Sequence, residues 1–181
     1  GCVEYYTCDL KKHATTYSAS QENYKGEFKQ YEIRFDHPFI EIDNNKCILC
    51  SRCIRICSEV VGAHALGLVN RGYETYVAPS LGNSLLESDC ESCGLCISAC
   101  PTAAISENVT FKPGPIKTEA ISAICNYCSV GCELQYNVKK NFVWSVTGKN
   151  GLINKDTNIC AKAKFGYLYI NDKNRLTKPL L

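Results

Sequence analysis

Twelve of the fourteen cysteines in this 181-residue chain lie in three groups of four, and their spacing limits the chemistry they could do. The first group reads C-x2-C-x2-C-x3-C, the second repeats that spacing before a proline, and the third reads C-x2-C-x3-C-x27-C. Such short intervals let neighbouring thiolates reach one centre, as in iron–sulfur ligand runs. The groups are Cys47, Cys50, Cys53 and Cys57; Cys90, Cys93, Cys96 and Cys100; and Cys125, Cys128, Cys132 and Cys160.

Disulfide bonds and zinc are the two alternative uses of so many cysteines. Disulfide scaffolds distribute their cysteines to close long loops, whereas these lie in tight runs. Zinc ribbons use two C-x2-C pairs separated by a long loop, and a third cysteine after two further residues does not fit that pattern. The third group is less specific, and its spacing alone leaves zinc open there.

The first two groups match the signature of bacterial two-cluster ferredoxins. In that arrangement three cysteines of one run share a [4Fe–4S] cluster with the fourth cysteine of the other run. We expect the first three cysteines on a loop, the fourth at the start of a helix, and a pseudo-twofold βαββαβ module. The predicted ligand sets are Cys47, Cys50, Cys53 and Cys100 for one cluster and Cys90, Cys93, Cys96 and Cys57 for the other.

Composition excludes several classes of function. No apolar run is long enough to span a bilayer, no signal peptide opens the chain, and the basic residues form no stripe that would bind nucleic acid. The formal net charge of +2 counts cysteine as neutral. Three clusters of about −2 each would bring the holoprotein to about −4. Clusters of this kind predict a reducing cytoplasm, and the absence of methionine predicts that the sequence is part of a longer product.

Patterning around the cysteines predicts few regular elements. We expect weak helix around residues 10–20, short strands within 31–46, a linker at 112–115, and a β-hairpin made by residues 135–138 and 142–146. A domain of about sixty residues around the third group has little core, so its cluster would supply much of its folding free energy.

Residues 38–50, 70–75 and 100–105 together resemble the iron–sulfur head of NAD-linked formate dehydrogenase catalytic subunits. The large iron–sulfur subunit of respiratory complex I and the accessory region of iron-only hydrogenases are relatives. The third group, with residues 161–167 and 174–180, looks like the cubane domain that opens molybdenum or tungsten pterin oxidoreductases. The resemblance implies an α+β fold, a two-cluster ferredoxin-like module followed by a small β-rich [4Fe–4S] domain of molybdopterin-oxidoreductase type.

The same resemblance implies roles for individual residues. Lys162 occupies the place of a lysine that lies between cubane and pterin in that family, although Ala163 replaces the usual glycine. Cys2 and Cys8 resemble the second half of an H-x3-C-x2-C-x5-C motif, so they are ligands of a fourth cluster shared with upstream residues, or plain thiols. His13, His37 and His64 occupy no ligand position, and we interpret them as surface or packing residues.

The implied domains are 1–30, the remnant of an upstream cluster-binding segment; 31–112, the ferredoxin-like domain; and 113–181, the pterin-type cluster domain. The expected function is an electron-relay subunit or fragment that passes single electrons between a flavin, NAD(P)H-oxidising or ferredoxin-linked partner and another redox centre. One alternative is part of a complete molybdenum or tungsten pterin formate dehydrogenase, and another is a structural zinc adaptor. No Rossmann fingerprint and no substrate-binding constellation appears in the sequence.

Overall fold

The computed structural model describes residues 6, 8–20, 26–80, 83–112 and 114–179. The chain divides into two units, one made of Gly1–Cys90 with Cys96–Ile116, and the other of Glu91–Leu95 with Lys117–Leu181. Near the start of the chain, helix α1 (Asp9–Thr16) forms where weak helical character was expected.

The first unit has the element order that the internal repeat predicts. Strand β1 (Ile40–Ile42) leads to helix α2 (Arg52–Arg55) and a π-helical turn (Ile56–Val61), then to β2 (Leu66–Val69) and β3 (Tyr76–Pro79). Helix α3 (Leu95–Ala99) and β4 (Ile105–Glu107) complete the series, so the order is βαββαβ. Antiparallel pairing joins β1 to β4 and β2 to β3. The buried residues of these strands include Ile40, Ile42, Leu66, Val77, Ala78 and Ile105.

The strand expected early in the 31–46 segment forms only in part. Arg34 makes an isolated antiparallel bridge to Ile42, and regular strand begins at Ile40. Pro38 has no N–H to donate to a ladder. The buried His37 ring takes up the next two donors instead, because its Nδ1 accepts from the backbone N–H groups of Phe39 and Ile40, each at 3.1 Å.

The second unit contains a three-stranded antiparallel sheet whose strands, in chain order, are neighbours: β5 (Glu119–Ile124), β6 (Glu133–Lys139) and β7 (Phe142–Gly148). Strands β6 (Glu133–Lys139) and β7 (Phe142–Gly148) form the predicted hairpin. Its two-residue turn places Lys140 and Asn141 at φ 51° and 59°, as a type I′ turn requires. Strand β5 (Glu119–Ile124) was not predicted, because all six of its residues are exposed and no apolar face alternates along it.

Helix α4 (Ala161–Phe165) continues into a 3₁₀ helix (Gly166–Asn171), and both pack on β7. The Tyr167 hydroxyl donates to the carbonyl oxygen of Trp144 at 2.8 Å, which ties this segment to the sheet. The core of the unit consists of Cys125, Leu134, Val143, Val146, Ile159, Ala163 and Tyr167.

Asparagine side chains extend the backbone pairing in both units. In each case the amide oxygen accepts from a backbone N–H while the amide nitrogen donates to the carbonyl of the same residue. Because one side chain satisfies both groups, it holds a loop against a neighbouring segment as a short ladder would. The pairs are Asn45 with Tyr31 (2.8 and 2.8 Å), Asn44 with Val77 (3.2 and 3.0 Å), Asn154 with Glu133 (2.8 and 3.0 Å) and Asn171 with Val143 (2.9 and 2.8 Å).

A buried ion pair connects the β1–β4 ladder to the end of the first unit. Glu41 on β1 faces Ser106 on β4 in the register, and both residues are buried. Lys112 makes an ion pair with the Glu41 carboxylate, and its Nζ also donates to Ser106 Oγ at 2.9 Å. Removal of the lysine would leave a carboxylate in a low-dielectric site without its counter-charge.

We therefore expect Lys112→Met to lower the free energy of unfolding by about 3 kcal/mol, because an uncompensated buried charge remains. The additional change Glu41→Gln should recover most of that loss. Urea unfolding midpoints measure both effects, with the exposed Lys117→Met as the matched control. Equal midpoints for Lys112→Met and Lys117→Met would show that the ion pair contributes nothing.

Candidate iron–sulfur centres

Four cysteines from both ferredoxin-like runs surround one pocket in the first unit. The thiol of Cys53 interacts electrostatically with those of Cys100, Cys47 and Cys50. The empty volume of this pocket, including its open mouth, is about 370 Å³, and its walls are largely apolar. The fold thus brings Cys100 from the second run to the first three cysteines of the first run. The other lining residues are Ile42, Asn44, Ile48, Ser51, Val77, Thr102, Ala104 and Ile105.

The backbone of the two runs repeats as closely as their sequence does. In the first run Leu49 and Ser51 have φ of 54° and 58°, and at the same two positions of the second run Ser92 and Gly94 have 53° and 74°. Left-handed residues alternating with others turn successive N–H groups toward a common concavity, which suits an anion. Leu49 N–H already donates to Cys47 Sγ at 3.4 Å. The loop geometry thus fits a cluster whose sulfurs accept backbone hydrogen bonds.

Burial raises the pKa of two thiols in this first site. Burial, followed by the repulsion from Cys100 and Cys47, raises the pKa of Cys53 to about 11. Burial also raises the pKa of Cys47, against a lowering by the Leu49 N–H. Iron binds the thiolate, so loading this site must release protons, and the cost of deprotonation becomes part of the binding free energy.

The prediction that the fourth cysteine of each ferredoxin-like run starts a helix was wrong. Cys53 already lies within α2 and Cys96 within α3, so each helix starts before the third cysteine. Cys57 lies inside the π-helical turn and Cys100 directly follows α3. The physical reason is the spacing: residues four apart are one helical turn apart, so the third and fourth ligands of a run are placed by the same helix.

The predicted second ligand set belongs to both units. Cys57, Cys90 and Cys96 belong to the first unit, and Cys93 belongs to the second through the segment Glu91–Leu95. Cys96 is buried and the other three are partly buried. This set therefore remains a prediction from the spacing.

The third group of cysteines comes together in the second unit. The Cys132 thiol interacts with those of Cys125, Cys128 and Cys160, and burial followed by these neighbours raises its pKa. Cys125 N–H donates to the Cys132 carbonyl at 2.8 Å, which closes the loop between them. Cys160 stands at the start of α4, 28 positions further along the chain. Four thiolates are the ligand number of a [4Fe–4S] cluster, so the composition of this group fits one.

Aromatic contacts hold this ligand loop against the last helical segment. The Tyr127 hydroxyl donates to the carbonyl oxygen of Gly166 at 2.6 Å, and Asn126 Nδ2 donates to the Tyr169 hydroxyl at 3.1 Å. The Tyr127 and Tyr169 rings also meet edge to face, with centroids 6.5 Å apart. These side-chain contacts, together with the sheet, hold the loop of the first three cysteines close to the segment that follows Cys160.

Two lysines follow Cys160, and they differ in burial. Lys162, to which the resemblance assigns a place beside the cluster, is exposed. Lys164 is only 4% exposed, and its Nζ donates to the Val146 carbonyl at 3.2 Å. Sequence reasoning missed Lys164, because nothing in the sequence distinguishes the burial of Lys164 from the exposure of Lys162.

The remaining candidate residues lie elsewhere. Cys8 is the N-cap of α1, where its Sγ accepts from the Lys11 N–H at 3.4 Å, while Cys2 lies outside the described residues. His13 and His64 are exposed, and His37 is buried as a packing residue. Burial lowers the pKa of His37, although the charge of Asp36 opposes the shift, so its ring is neutral and accepts hydrogen bonds.

Two further observations apply to the described part of the chain. Its thirteen cysteines are thiols, and no group of three or more histidine, cysteine or acidic side chains is close enough to hold a single metal ion. None of its helices has the length and apolar character needed to cross a bilayer.

Comparison with protein families identifies both cysteine-rich regions. Residues 37–106 match the ferredoxin-like domain of NADH-quinone oxidoreductase subunit 3, and residues 118–172 match the molybdopterin oxidoreductase Fe4S4 domain. The chain therefore contains a ferredoxin-like domain and a molybdopterin-oxidoreductase-type Fe4S4 domain, the two kinds of iron–sulfur domain that its motifs indicated.

The chain is similar in sequence to several curated oxidoreductases. It is 36% identical to the NADPH-Fe(3+) oxidoreductase subunit alpha of Geobacter sulfurreducens over 96% of its own length, which is 20% of that relative. A subunit of an NADH-quinone oxidoreductase from Rhizobium meliloti is 32% identical with the same coverage. A formate dehydrogenase-like relative from Staphylococcus haemolyticus is 25% identical. The chain thus spans about a fifth of the length of its relatives.

A solved structure shares the fold. The crystal structure of an NAD⁺-reducing [NiFe]-hydrogenase in its H₂-reduced state aligns with a TM-score of 0.54 and 26% identity. The alignment covers 64% of this chain and 50% of that one. The match to the Fe4S4 domain family and the mixed helices and strands of the chain are consistent with [4Fe–4S] chemistry in an α+β fold.

Proposed function

We propose that this chain is the electron-relay part of an NAD(P)H-linked or formate dehydrogenase-like oxidoreductase. Three [4Fe–4S] clusters would carry single electrons between a flavin or ferredoxin partner and another redox centre. The observation that supports this most strongly is the grouping of Cys100 with Cys47, Cys50 and Cys53, because a shared ligand between two runs is the two-cluster ferredoxin arrangement.

The clusters would supply reversible one-electron chemistry, and the chain's own residues would control access to it. Apolar walls such as Ile42 and Val77 would keep water from the first site, and the loop amides would donate to its sulfurs. At the third site, Tyr127 would hold the ligand loop on the segment after Cys160. In the described residues we find no constellation that would bind an organic substrate.

A second candidate is a complete molybdenum or tungsten pterin formate dehydrogenase of which this chain is one part. The match of residues 118–172 to the molybdopterin oxidoreductase Fe4S4 domain favours it, as does the greater length of the relatives. In that case the third site would exchange electrons with a pterin centre. The native polypeptide's mass and its pterin content would separate the two candidates.

Metal and sulfide analysis tests the relay proposal directly. We expect a brown protein with broad absorption near 400 nm that is lost on reduction, and about twelve irons with as many sulfides per chain. An iron content of about sixteen would add a fourth cluster, to which Cys2 and Cys8 would contribute. Stoichiometric zinc without iron would contradict the proposal and leave a structural metal-binding adaptor.

The compartment and partners follow from the same chemistry. Thiols held for clusters persist in a reducing compartment, so we place the protein in the cytoplasm. Its partners would be redox subunits that oxidise NAD(P)H through a flavin, or that exchange electrons with ferredoxin.

A further inference from the structure

Lys164 is the most deeply buried basic side chain in the described part of the second unit. A lysine is rarely fully buried, because its ammonium loses hydration there. Here the Nζ keeps a hydrogen bond to the Val146 carbonyl at 3.2 Å. Val146 is itself fully buried in the core that also contains Cys125. The charge of Lys164 therefore lies in the apolar interior that supports the third cysteine group.

The backbone of α4 places Lys164 close in the chain to that group. Its backbone N–H donates to the carbonyl oxygen of Cys160 at 3.0 Å, so the two residues are separated by one turn of α4. Residues four apart lie on the same face of a helix. The buried lysine thus lies one turn after a predicted ligand cysteine, which is the exposed N-cap residue of α4.

Gly94, in the segment Glu91–Leu95, packs against the side-chain stem of the lysine. Gly94, at φ 74°, approaches so closely that a Cβ there would lie 3.0 Å from Lys164 Cγ and 2.6 Å from Phe165 Cζ. The aliphatic stem of the lysine is thereby covered by backbone, which accounts for its 4% exposure. Water is excluded along the stem, so the charge is less screened than a surface charge.

We propose that Lys164 is the residue whose charge raises the reduction potential of the third cluster. The inference rests on the proposed function only in requiring that Cys125, Cys128, Cys132 and Cys160 hold a cluster. One-electron reduction makes such a set more negative by one charge, without forming or breaking a bond to the protein. A cation nearby stabilises the reduced form more than the oxidised form, and a low local dielectric strengthens the effect.

The exposed Lys162 provides the contrast. Its ammonium stands in water, where solvent and salt weaken its interaction with the same set of sulfurs. The sequence resemblance assigns the charged role beside the cluster to Lys162. The burial of the two side chains instead assigns the tuning of the potential to Lys164.

The test is a redox titration of the iron-loaded protein with dithionite as reductant, followed by electron paramagnetic resonance. Lys164→Met should shift the midpoint of the third cluster to more negative potential, and by more than Lys162→Gln does. Lys164→Arg, which keeps the charge, should stay closer to the unmodified protein than Lys164→Met. A shift from Lys162→Gln equal to or larger than that from Lys164→Met would overturn the proposal.

The proposal stays testable even if Lys164→Met fails to hold the third cluster. If Lys164→Met lost the third cluster, a near-normal potential in both Lys164→Arg and Lys162→Gln would support the role of the buried charge. A strongly lowered potential in Lys162→Gln would contradict it. Absence of the third cluster's signal from the unmodified protein would overturn the proposed function, whereas a normal signal insensitive to Lys164→Met would overturn this inference alone.

Discussion

Cys100→Ser should abolish the cluster of the first cysteine run, although Cys100 belongs to the second run. The structure places this thiol with Cys47, Cys50 and Cys53 around one pocket, and an Ile105 N–H donates to its Sγ at 3.5 Å. A serine oxygen is a poor replacement for a thiolate ligand of iron. We expect the loss of about four irons per chain and of one paramagnetic signal.

A variant of a ligand within the first run identifies which cluster's paramagnetic signal is lost. Cys50→Ser removes a ligand of the first run itself, so its spectrum defines the first cluster. The spectrum of Cys100→Ser should match it, whereas Cys57→Ser should match Cys93→Ser. If Cys100→Ser instead resembled Cys93→Ser, the exchange of ligands between the runs would be disproved.

Gly148→Ala should destabilise the second unit and remove the third cluster. A Cβ on Gly148, the last residue of β7, would overlap the backbone carbonyl of Thr157 and lie 3.0 Å from Ile159 Cγ2. Backbone cannot yield as a side-chain end can, so residues 157–159 would move and carry Cys160 away from the other three ligands. We expect a loss of about 3 kcal/mol in stability, at the upper end for overpacking.

Gly67→Ala is the matched control for this change. Gly67 also lies in a strand, β2, but a Cβ there would meet nothing within 4 Å. Its stability should change by less than about 1 kcal/mol, with full iron content. The measurements are iron per chain and the urea midpoint of each variant. Equal values for the two variants would mean that the contact between β7 and the segment before Cys160 is not needed.

Local sequence was sufficient for the elements whose geometry depends on near neighbours. The hairpin was predicted because alternating apolar residues flank a turn expected at residues 139–141. The βαββαβ order followed from the internal repeat. Grouping of Cys125, Cys128 and Cys132 is likewise local, because three thiols within eight residues cannot separate far. Strand β5 was missed since its pairing with β6, and not an apolar face of its own, makes it a strand.

Longer-range relations were decided by tertiary structure. Nothing in the sequence pairs Glu41 with Lys112, which are 71 positions apart and meet because β1 and β4 are neighbours. Lys162 and Lys164 likewise flank Ala163 within one short helix, and composition does not distinguish them. One is exposed and the other buried because α4 presents only the Lys164 side to β7 and to the segment Glu91–Leu95. The sequence by itself therefore determined which cysteines could be ligands, while packing decided which of the two lysines is buried in a low dielectric, where a charge has its greatest effect.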